Sequence, residues 1–146
     1  MSAVDIGDLR REYQNRPLEL GDLEPDPTTM FARWLQDAVE SGLADPNAMT
    51  VATVGADGQP SVRAVLLKSF DADGFVFYTN YGSRKAREAE GNDRVALHFL
   101  WNALERQVQV RGRAVRISSQ ESLAYFSRRP APFEMCLLAR ARGGSE

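Results

Sequence analysis

The sequence predicts a mainly β (α+β) protein: an antiparallel closed or split β-barrel with peripheral helices. Five or six runs of residues have the β-branched, alternating composition of strands. Short turns that contain Asp57-Gly58 and Asp73-Gly74 join the first three runs, and turns this short connect only antiparallel strands. Strands and helices do not alternate regularly, which argues against a doubly wound parallel sheet.

An N-terminal arm precedes the barrel. Residues 6–15 are predicted to form a short helix, because Ile6, Leu9 and Tyr13 recur at helical spacing. Residues 16–25 have the composition of a linker. A charged amphipathic arm followed by a linker is typical of a mobile terminus, and such an arm sometimes folds over a site as a lid.

The clearest helix begins after this linker. Asp26 is placed to cap it and Pro27 to occupy its first position, while Gly42 stands where a C-terminal glycine would end it. Phe31 and Trp34 belong to an apolar stripe with helical period. Large aromatic side chains dominate core burial, so we expect both to pack in the core and not to contact a ligand.

Strand-like runs follow the helix. They cover residues 49–54, 60–70, 75–80, 94–100 and 105–117. Run 94–100 is apolar on nearly both faces, so we expect it inside the packed structure. Gly112 interrupts the last run and predicts a bend or bulge. Further helices are expected at 84–90 and after the capping-box spacing of 118–121, with Pro130 as the stop.

The composition is that of an ordinary soluble protein with one domain. The 146 residues are 43% hydrophobic and 26% charged, and the net charge of −2 gives no basic excess that would favour nucleic acid. No apolar run approaches the roughly 18 residues of a membrane span, and the N-terminus lacks a signal-peptide pattern. Cys136 is the single cysteine, which precludes an internal disulfide framework and suits a cytoplasmic protein.

Four cations lie on or beside strands between residues 63 and 85: Arg63, Lys68, Arg84 and Lys85. Fixed positive charge next to strand ends and a helix start is typical of an anion site, most often one for phosphate. The alternative is that these side chains are merely solvated and that Ser83 is only a helix cap. In a flat strand Arg63 and Lys68 point to opposite faces, so one ligand can reach both only at a bulge or around the strand end.

No side chain stands out as a nucleophile, general base or metal ligand. His98 lies within an apolar strand and is expected to be a core or edge residue, and Cys136 has no neighbour that would activate it. The carboxylate pairs Asp71/Asp73 and Glu88/Glu90 are expected in a turn and on a helix surface. We therefore assign no catalytic residue and no metal, and expect a bound cofactor to perform any difficult step.

Several motifs together resemble the pyridoxamine 5′-phosphate oxidase family. The motifs are Arg10–Tyr13 (RREY), Leu43–Pro46 (LADP) with Met49, Arg63–Lys68 (RAVLLK), Phe77–Asn80 (FYTN), Gly82–Lys85 (GSRK), Leu104–Val108 (LERQV) and Tyr125–Pro130 (YFSRRP). They run collinearly from about residue 8 to residue 130. Separate motifs in the same order make the resemblance far more specific than a lone glycine pattern.

The resemblance implies an FMN-binding split β-barrel that forms a homodimer with the flavin at the subunit interface. It implies oxidation of pyridoxamine 5′-phosphate or pyridoxine 5′-phosphate to pyridoxal 5′-phosphate, with O2 as acceptor and hydrogen peroxide as product. Nucleic acid and membrane are not expected partners.

The resemblance also assigns site residues by position. The implied FMN contacts are Arg63, Ala64, Val65, Leu66, Leu67, Lys68, Tyr78, Thr79, Arg84, Lys85 and Gln107. The implied substrate contacts are Arg10, Arg11, Glu12 and Tyr13 in a covering arm, with Lys68, Tyr125 and Arg129 at the substrate phosphate.

The family pattern stops after Pro130. Phe133 stands near a position where the family has a substrate-contacting Ser, and Arg142 near a Gln-Ser pair for FMN. We therefore divide the chain into an arm (1–25), a barrel domain (26–130) and a divergent tail (131–146), which suggests a truncated or frameshifted member. Two other functions stay open: a non-catalytic FMN- or pyridoxal-phosphate-binding split barrel, and a dimeric structural module with an empty cleft.

Overall fold

One helix and an antiparallel sheet make up most of the described structure. The computed structural model describes residues 5–77, 88 and 91–115. Helix α1 is Pro27–Glu40, and the strands are β1 (Ala48–Val54), β2 (Pro60–Asp71), β3 (Gly74–Phe77), β4 (Arg94–Trp101) and β5 (Arg106–Arg113). The predicted strand 75–80 is described only as far as Phe77. The predicted helix after 118–121 lies outside the described residues, as does most of the one at 84–90.

The five strands form a single sheet in the order β3-β2-β1-β4-β5. Every neighbouring pair is antiparallel, and for β1 with β2 and β2 with β3 this is what the short turns predicted. In the first turn Gly58 has φ +80°, a left-handed conformation that glycine adopts without steric cost. In the second, the Asp71 carboxylate accepts hydrogen bonds from the N–H groups of Asp73 and Gly74, so the expected turn role of Asp71 is confirmed.

Helix α1 begins and ends where the sequence predicts. The Asp26 carboxylate accepts hydrogen bonds from the N–H groups of Thr28 and Thr29, and Pro27 occupies the first helical position. Gly42 follows the last turn with φ +78°. The helix therefore carries its own start and stop signals, independent of the sheet on which it packs.

The core lies between α1 and one face of the sheet, here named the core face. Phe31 is only 2% exposed, and its ring centroid lies 4.8 Å from that of Phe70, 5.0 Å from Phe75 and 4.9 Å from Phe99. Contacts of Phe31 thus reach β2, β3 and β4 at once. Trp34 is also buried, so the prediction that this aromatic stripe is core is confirmed.

A polar contact joins α1 to the last strand. Arg106 donates a hydrogen bond of 2.7 Å to the Asp37 carboxylate, and its guanidinium lies 4.8 Å from the centre of the Trp34 ring. Helix α1 therefore contacts both edges of the sheet, through aromatic packing on β2 and β3 and through Arg106 on β5.

The predicted helix over residues 6–15 is wrong. This stretch follows a non-helical course, and Ile6, Leu9 and Tyr13 stay largely exposed. A short amphipathic helix is stable only when its apolar face packs on something, and no described residue covers these three side chains. The backbone of the stretch instead hydrogen-bonds to the turn between β4 and β5.

The expected bend or bulge at Gly112 is also wrong. Gly112 pairs with Val95 in a regular ladder between β4 and β5. The last strand begins at Arg106, because Glu105 adopts a left-handed conformation (φ 55°) in the preceding turn. It ends at Arg113. The irregularity in the sheet falls at Lys68, where the pairing of β2 with β3 shifts between Leu67 and Ser69.

No helix within the described ranges is long and apolar enough to cross a bilayer.

We predict that Phe31→Ala lowers the free energy of unfolding by about 3–5 kcal/mol, because it removes a fully buried ring and leaves a cavity among four other aromatic rings. Chemical denaturation followed by circular dichroism measures this change. Val39→Ala on the exposed side of α1 is the matched control and should change stability by less than about 0.5 kcal/mol. Equal effects of the two substitutions would contradict the central packing role of Phe31.

Candidate functional site

Arg63 projects from β2 onto the core face, at the end of the sheet away from Phe31. Its side chain is half-buried, and Nη1 donates a hydrogen bond of 2.8 Å to the Thr53 hydroxyl of β1. Nη2 lies 3.9 Å from a carboxylate oxygen of Glu88. The core face thus changes from apolar to polar along β1, from Met49 and Val51 to the buried Thr53.

Glu88 is held by two hydroxyl groups. Thr53 donates to one of its carboxylate oxygens at 2.6 Å, and Ser61 donates to the other at 3.3 Å. The Glu88 side chain is only 9% exposed. The expectation that Glu88 lies on a solvated helix surface is therefore wrong: it belongs to a network with Thr53, Ser61 and Arg63, named here the Arg63 network.

Sequence reasoning missed Thr53, Ser61 and Glu88 as members of a site. A signal for two of them was present, because the hairpin turn at Gly55–Gly58 fixes the strand register and places Thr53 directly opposite Ser61. Two small hydroxyl residues facing each other beside Arg63 could have been recognised in this way. The approach of Glu88 could not, because it comes from a separate segment of the chain.

Lys68 lies on the other face of the sheet, here named the outer face. It is exposed and occupies the bulge of β2, whereas Arg63 is half-buried on the core face, so the prediction of opposite faces is confirmed. Between them, Val65 and Leu67 point to the core face, and Ala64 and Leu66 to the outer face. One ligand can therefore contact all six residues of Arg63–Lys68 only through their backbone.

Gln107 also lies on the outer face, on β5. Its amide oxygen is 2.7 Å from Nε2 of His98 on the neighbouring strand β4. This contact fixes the Gln107 side chain, and it gives half-buried His98 a structural partner, in agreement with its expected role as a core or edge residue.

The outer face carries exposed apolar side chains. Val62 is 67% exposed, Leu66 41% and Leu100 60%. The strand expected inside the packed structure, 94–100, is buried on its core face, while on its outer face Ala96 and His98 are half-buried and Leu100 is exposed.

The arm is docked on the turn between β4 and β5. The N–H groups of Gln14 and Asn15 each donate a hydrogen bond of 2.8 Å to the Glu105 carboxylate, and Arg11 donates one of 2.6 Å to the carbonyl of Asn102. The N–H groups of Asn15 and then Gln14 are the main cause that holds the pKa of Glu105 below its usual range. The arm residues assigned to substrate, Arg10–Tyr13, therefore lie just before this docked segment.

Six assigned site residues lie outside the described part of the chain. They are Tyr78, Thr79, Arg84, Lys85, Tyr125 and Arg129. Among the residues that are described, no three His, Cys, Asp or Glu side chains come together as a metal site would require.

Comparison with known proteins gives the family. A family model described as pyridoxamine 5′-phosphate oxidase matches residues 35–137. The chain belongs to this family. It is 56% identical over 126 residues to the pyridoxine/pyridoxamine 5′-phosphate oxidase of Rubrobacter xylanophilus, a match that covers 86% of this chain and 58% of the relative. The enzyme of the same name from Vibrio atlanticus is 49% identical over 136 residues, covering 93% and 64%. The chain thus spans about 60% of the length of these relatives.

Solved structures agree with this fold. PhzG from Burkholderia lata 383, crystallised with tetrahydrophenazine-1-carboxylic acid, superposes with a TM-score of 0.67 at 30% identity, covering 76% of this chain and 56% of PhzG. A pyridoxamine 5′-phosphate oxidase-related, FMN-binding protein from Nostoc punctiforme gives a TM-score of 0.58 at 20% identity, covering 72% and 55%. The second likeness shows fold alone, and the predicted antiparallel split β-barrel is confirmed.

We predict that Glu105→Gln weakens docking of the arm and speeds tryptic cleavage after Arg11 several-fold, because a neutral amide accepts hydrogen bonds less strongly than a carboxylate. The rate of cleavage at pH 7 is measured by mass spectrometry. Glu12→Gln, which removes a carboxylate from the arm itself, is the control and should leave the rate unchanged.

The same contact predicts a pH dependence. Since the pKa of docked Glu105 is lowered, its stabilisation of the docked arm is complete above the pKa of a free glutamate, about 4.3. It is lost as the pH falls through the lower pKa of the docked state. The amide proton shifts of Gln14 and Asn15, followed by NMR during acid titration, report this loss. Shifts that move only with global unfolding would contradict it.

Proposed function

We propose that this chain supplies the FMN-binding sheet of an oxidase that converts pyridoxamine 5′-phosphate or pyridoxine 5′-phosphate to pyridoxal 5′-phosphate, with O2 as acceptor. Family membership and the names of the relatives support this class of reaction. The observation that carries the proposal for this chain is the arrangement of Arg63, a fixed guanidinium at the polar end of an otherwise apolar core face.

The donor groups of the site fit an anionic flavin phosphate. Among the described residues, the Arg63 guanidinium hydrogen-bonds to Thr53 through one nitrogen only, which leaves further N–H groups for a phosphate. Lys68 adds an exposed ammonium, and a phosphate ester with charge-assisted hydrogen bonds is the ligand that such cations favour.

The bulge at Lys68 supports a shared ligand for residues on opposite faces. A bulge bends its strand and increases the local twist, so the backbone at Lys68 departs from a flat strand although Arg63 and Lys68 keep opposite faces. The sequence required such an irregularity if Arg63 and Lys68 were to serve one ligand. Tyr78, Thr79, Arg84 and Lys85 would complete this flavin site.

Bound FMN would supply the redox chemistry, accepting a hydride from the substrate and passing the electrons to O2, which gives hydrogen peroxide. The chain itself would bind and orient. Gln107, fixed by His98, would contact the flavin from the outer face. Lys68, Tyr125 and Arg129 would hold the substrate phosphate, and Arg10–Tyr13 would cover the substrate from an arm anchored at Glu105.

A second copy of the chain is the proposed partner of the outer face. Val62, Leu66 and Leu100 expose apolar surface there, beside Lys68 and Gln107. A homodimer formed through this face would bury that surface and enclose the two proposed flavin contacts at the same time.

A non-catalytic FMN- or pyridoxal-phosphate-binding protein is the second candidate. It is favoured by Phe133 and Arg142, which replace residue types that the family resemblance places at substrate and flavin. Turnover separates the two functions.

The deciding experiment is the visible absorption spectrum of the purified chain with FMN, followed by addition of pyridoxamine 5′-phosphate under air. Perturbed flavin bands with formation of pyridoxal 5′-phosphate and peroxide support the oxidase. Bound flavin without product supports the binding protein. A spectrum of free FMN overturns both.

We predict that Arg63→Ala weakens FMN binding by about 1.5–3 kcal/mol, the range for hydrogen bonds to charged groups. Quenching of flavin fluorescence measures the affinity. Arg33→Ala, which removes an arginine from α1 that pairs with Glu24, is the control and should leave the affinity unchanged. Unchanged affinity in Arg63→Ala would refute the phosphate assignment.

We predict that Val62→Asp on the outer face shifts the chain from dimer to monomer, because it places charge on the apolar surface that the second copy would cover. Analytical ultracentrifugation measures the mass in solution. Val39→Asp introduces the same charge at an exposed valine of α1 and should leave the dimer intact. A monomeric wild-type chain would contradict the proposed interface.

A further inference from the structure

Thr53 is a buried hydroxyl on a strand face whose preceding residues are apolar. It follows Met49 and Val51 along the core face of β1 and is 2% exposed. Valine has the same branched shape and would fill this place without the cost of burying a hydroxyl. Hydrogen bonds with Arg63 and Glu88 therefore offset the cost of burying the hydroxyl, and they explain why threonine stands here instead of valine.

The direction of these hydrogen bonds is determined by Arg63. A guanidinium only donates, so the Thr53 oxygen accepts from Nη1 and the single Thr53 proton is left to donate to Glu88. Ser61 donates to the second carboxylate oxygen and so fixes Glu88 at both ends. Glu88 therefore fixes the orientation of the Thr53 hydroxyl, and Thr53 fixes the orientation of the Arg63 guanidinium.

The distances indicate that Glu88 acts on Arg63 through Thr53 and not by a direct hydrogen bond. Glu88 approaches Arg63 only to 3.9 Å, whereas a charge-assisted N–H···O bond is about 2.7–2.9 Å long. The carboxylate thus does not occupy the guanidinium fork, as it would if Glu88 were a stand-in for a bound anion. Its short contact, at 2.6 Å, is with Thr53.

We propose that Thr53 and Glu88 are positioning residues that orient the Arg63 guanidinium toward the phosphate group of the flavin. This inference rests on the proposed function and deepens it: neither residue touches the flavin, and both act through Arg63. The expected loss of affinity is specific to ligands with a phosphate, because binding of the isoalloxazine ring and ribityl chain does not depend on this network.

The test compares FMN with riboflavin, which lacks the phosphate, in the wild-type chain and in Thr53→Val and Thr53→Ser. Thr53→Val keeps the shape and removes the hydroxyl, and we expect it to raise the dissociation constant for FMN about tenfold. The constant for riboflavin should stay within about twofold. Thr53→Ser restores the hydroxyl and should bring FMN affinity back to within about threefold of wild type. Fluorescence quenching gives all the constants.

Glu88→Ala tests the direction of the effect. A positioning role predicts weaker FMN binding by at least several-fold with unchanged riboflavin binding. If Glu88 instead competed with phosphate for Arg63, the same substitution would tighten FMN binding, and that result would overturn the proposal.

The remaining outcomes distinguish this inference from the proposed function. FMN binding by Thr53→Val as tight as by wild type overturns the positioning role and leaves the FMN site standing. Equal losses of FMN and riboflavin indicate a structural role only and also overturn it. A wild-type chain that binds neither flavin overturns the proposed function, and the inference with it.

Discussion

The packing of Phe31 against the sheet is the interaction on which the rest of the described structure depends. One side chain of α1 contacts rings from β2, β3 and β4, and it closes the core face at one end. Helix α1 needs this contact because its sequence caps determine where it starts and ends but not where it packs. With the aromatic rings gathered at one end, the opposite end of the same face is left for polar groups, and Arg63 lies there.

The sheet therefore has three distinct environments. The core face is apolar under α1 and polar around Arg63, and the outer face carries exposed apolar side chains beside Lys68 and Gln107. Period-two alternation creates the two faces, and the bulge at Lys68 is the described point where the pairing of β2 departs from a regular ladder. A phosphate-bearing ligand with a large flat ring suits this combination, because it needs fixed cations at one end and apolar surface along its length.

Two carboxylates organise the polar parts of the molecule in different ways. Glu88 is nearly buried, two hydroxyl groups donate hydrogen bonds that fix its orientation, and the Arg63 guanidinium lies 3.9 Å away. Glu105 is accessible and accepts backbone N–H groups from a segment 90 residues away, so its hydrogen bonds join two parts of the chain that share no regular element. The left-handed conformation of Glu105 belongs to the turn between β4 and β5, onto which the arm docks. Charge thus positions Arg63, the proposed phosphate-binding side chain, in one case and the arm, the proposed cover of the substrate, in the other.

The sequence alone determined those features that local spacing controls. The caps of α1, the turns at Gly58 and Asp71, the strand order of the meander and the opposite faces of Arg63 and Lys68 follow from near neighbours, and motif order identified the family. The tertiary structure decided the rest. The arm is not helical because its apolar side chains find no described surface to cover, and the bulge lies at Lys68 instead of Gly112. Glu88 reaches Thr53 across 35 residues of sequence. Periodicity records which face a residue occupies, but not which distant side chain meets it there, because that depends on how separate elements pack.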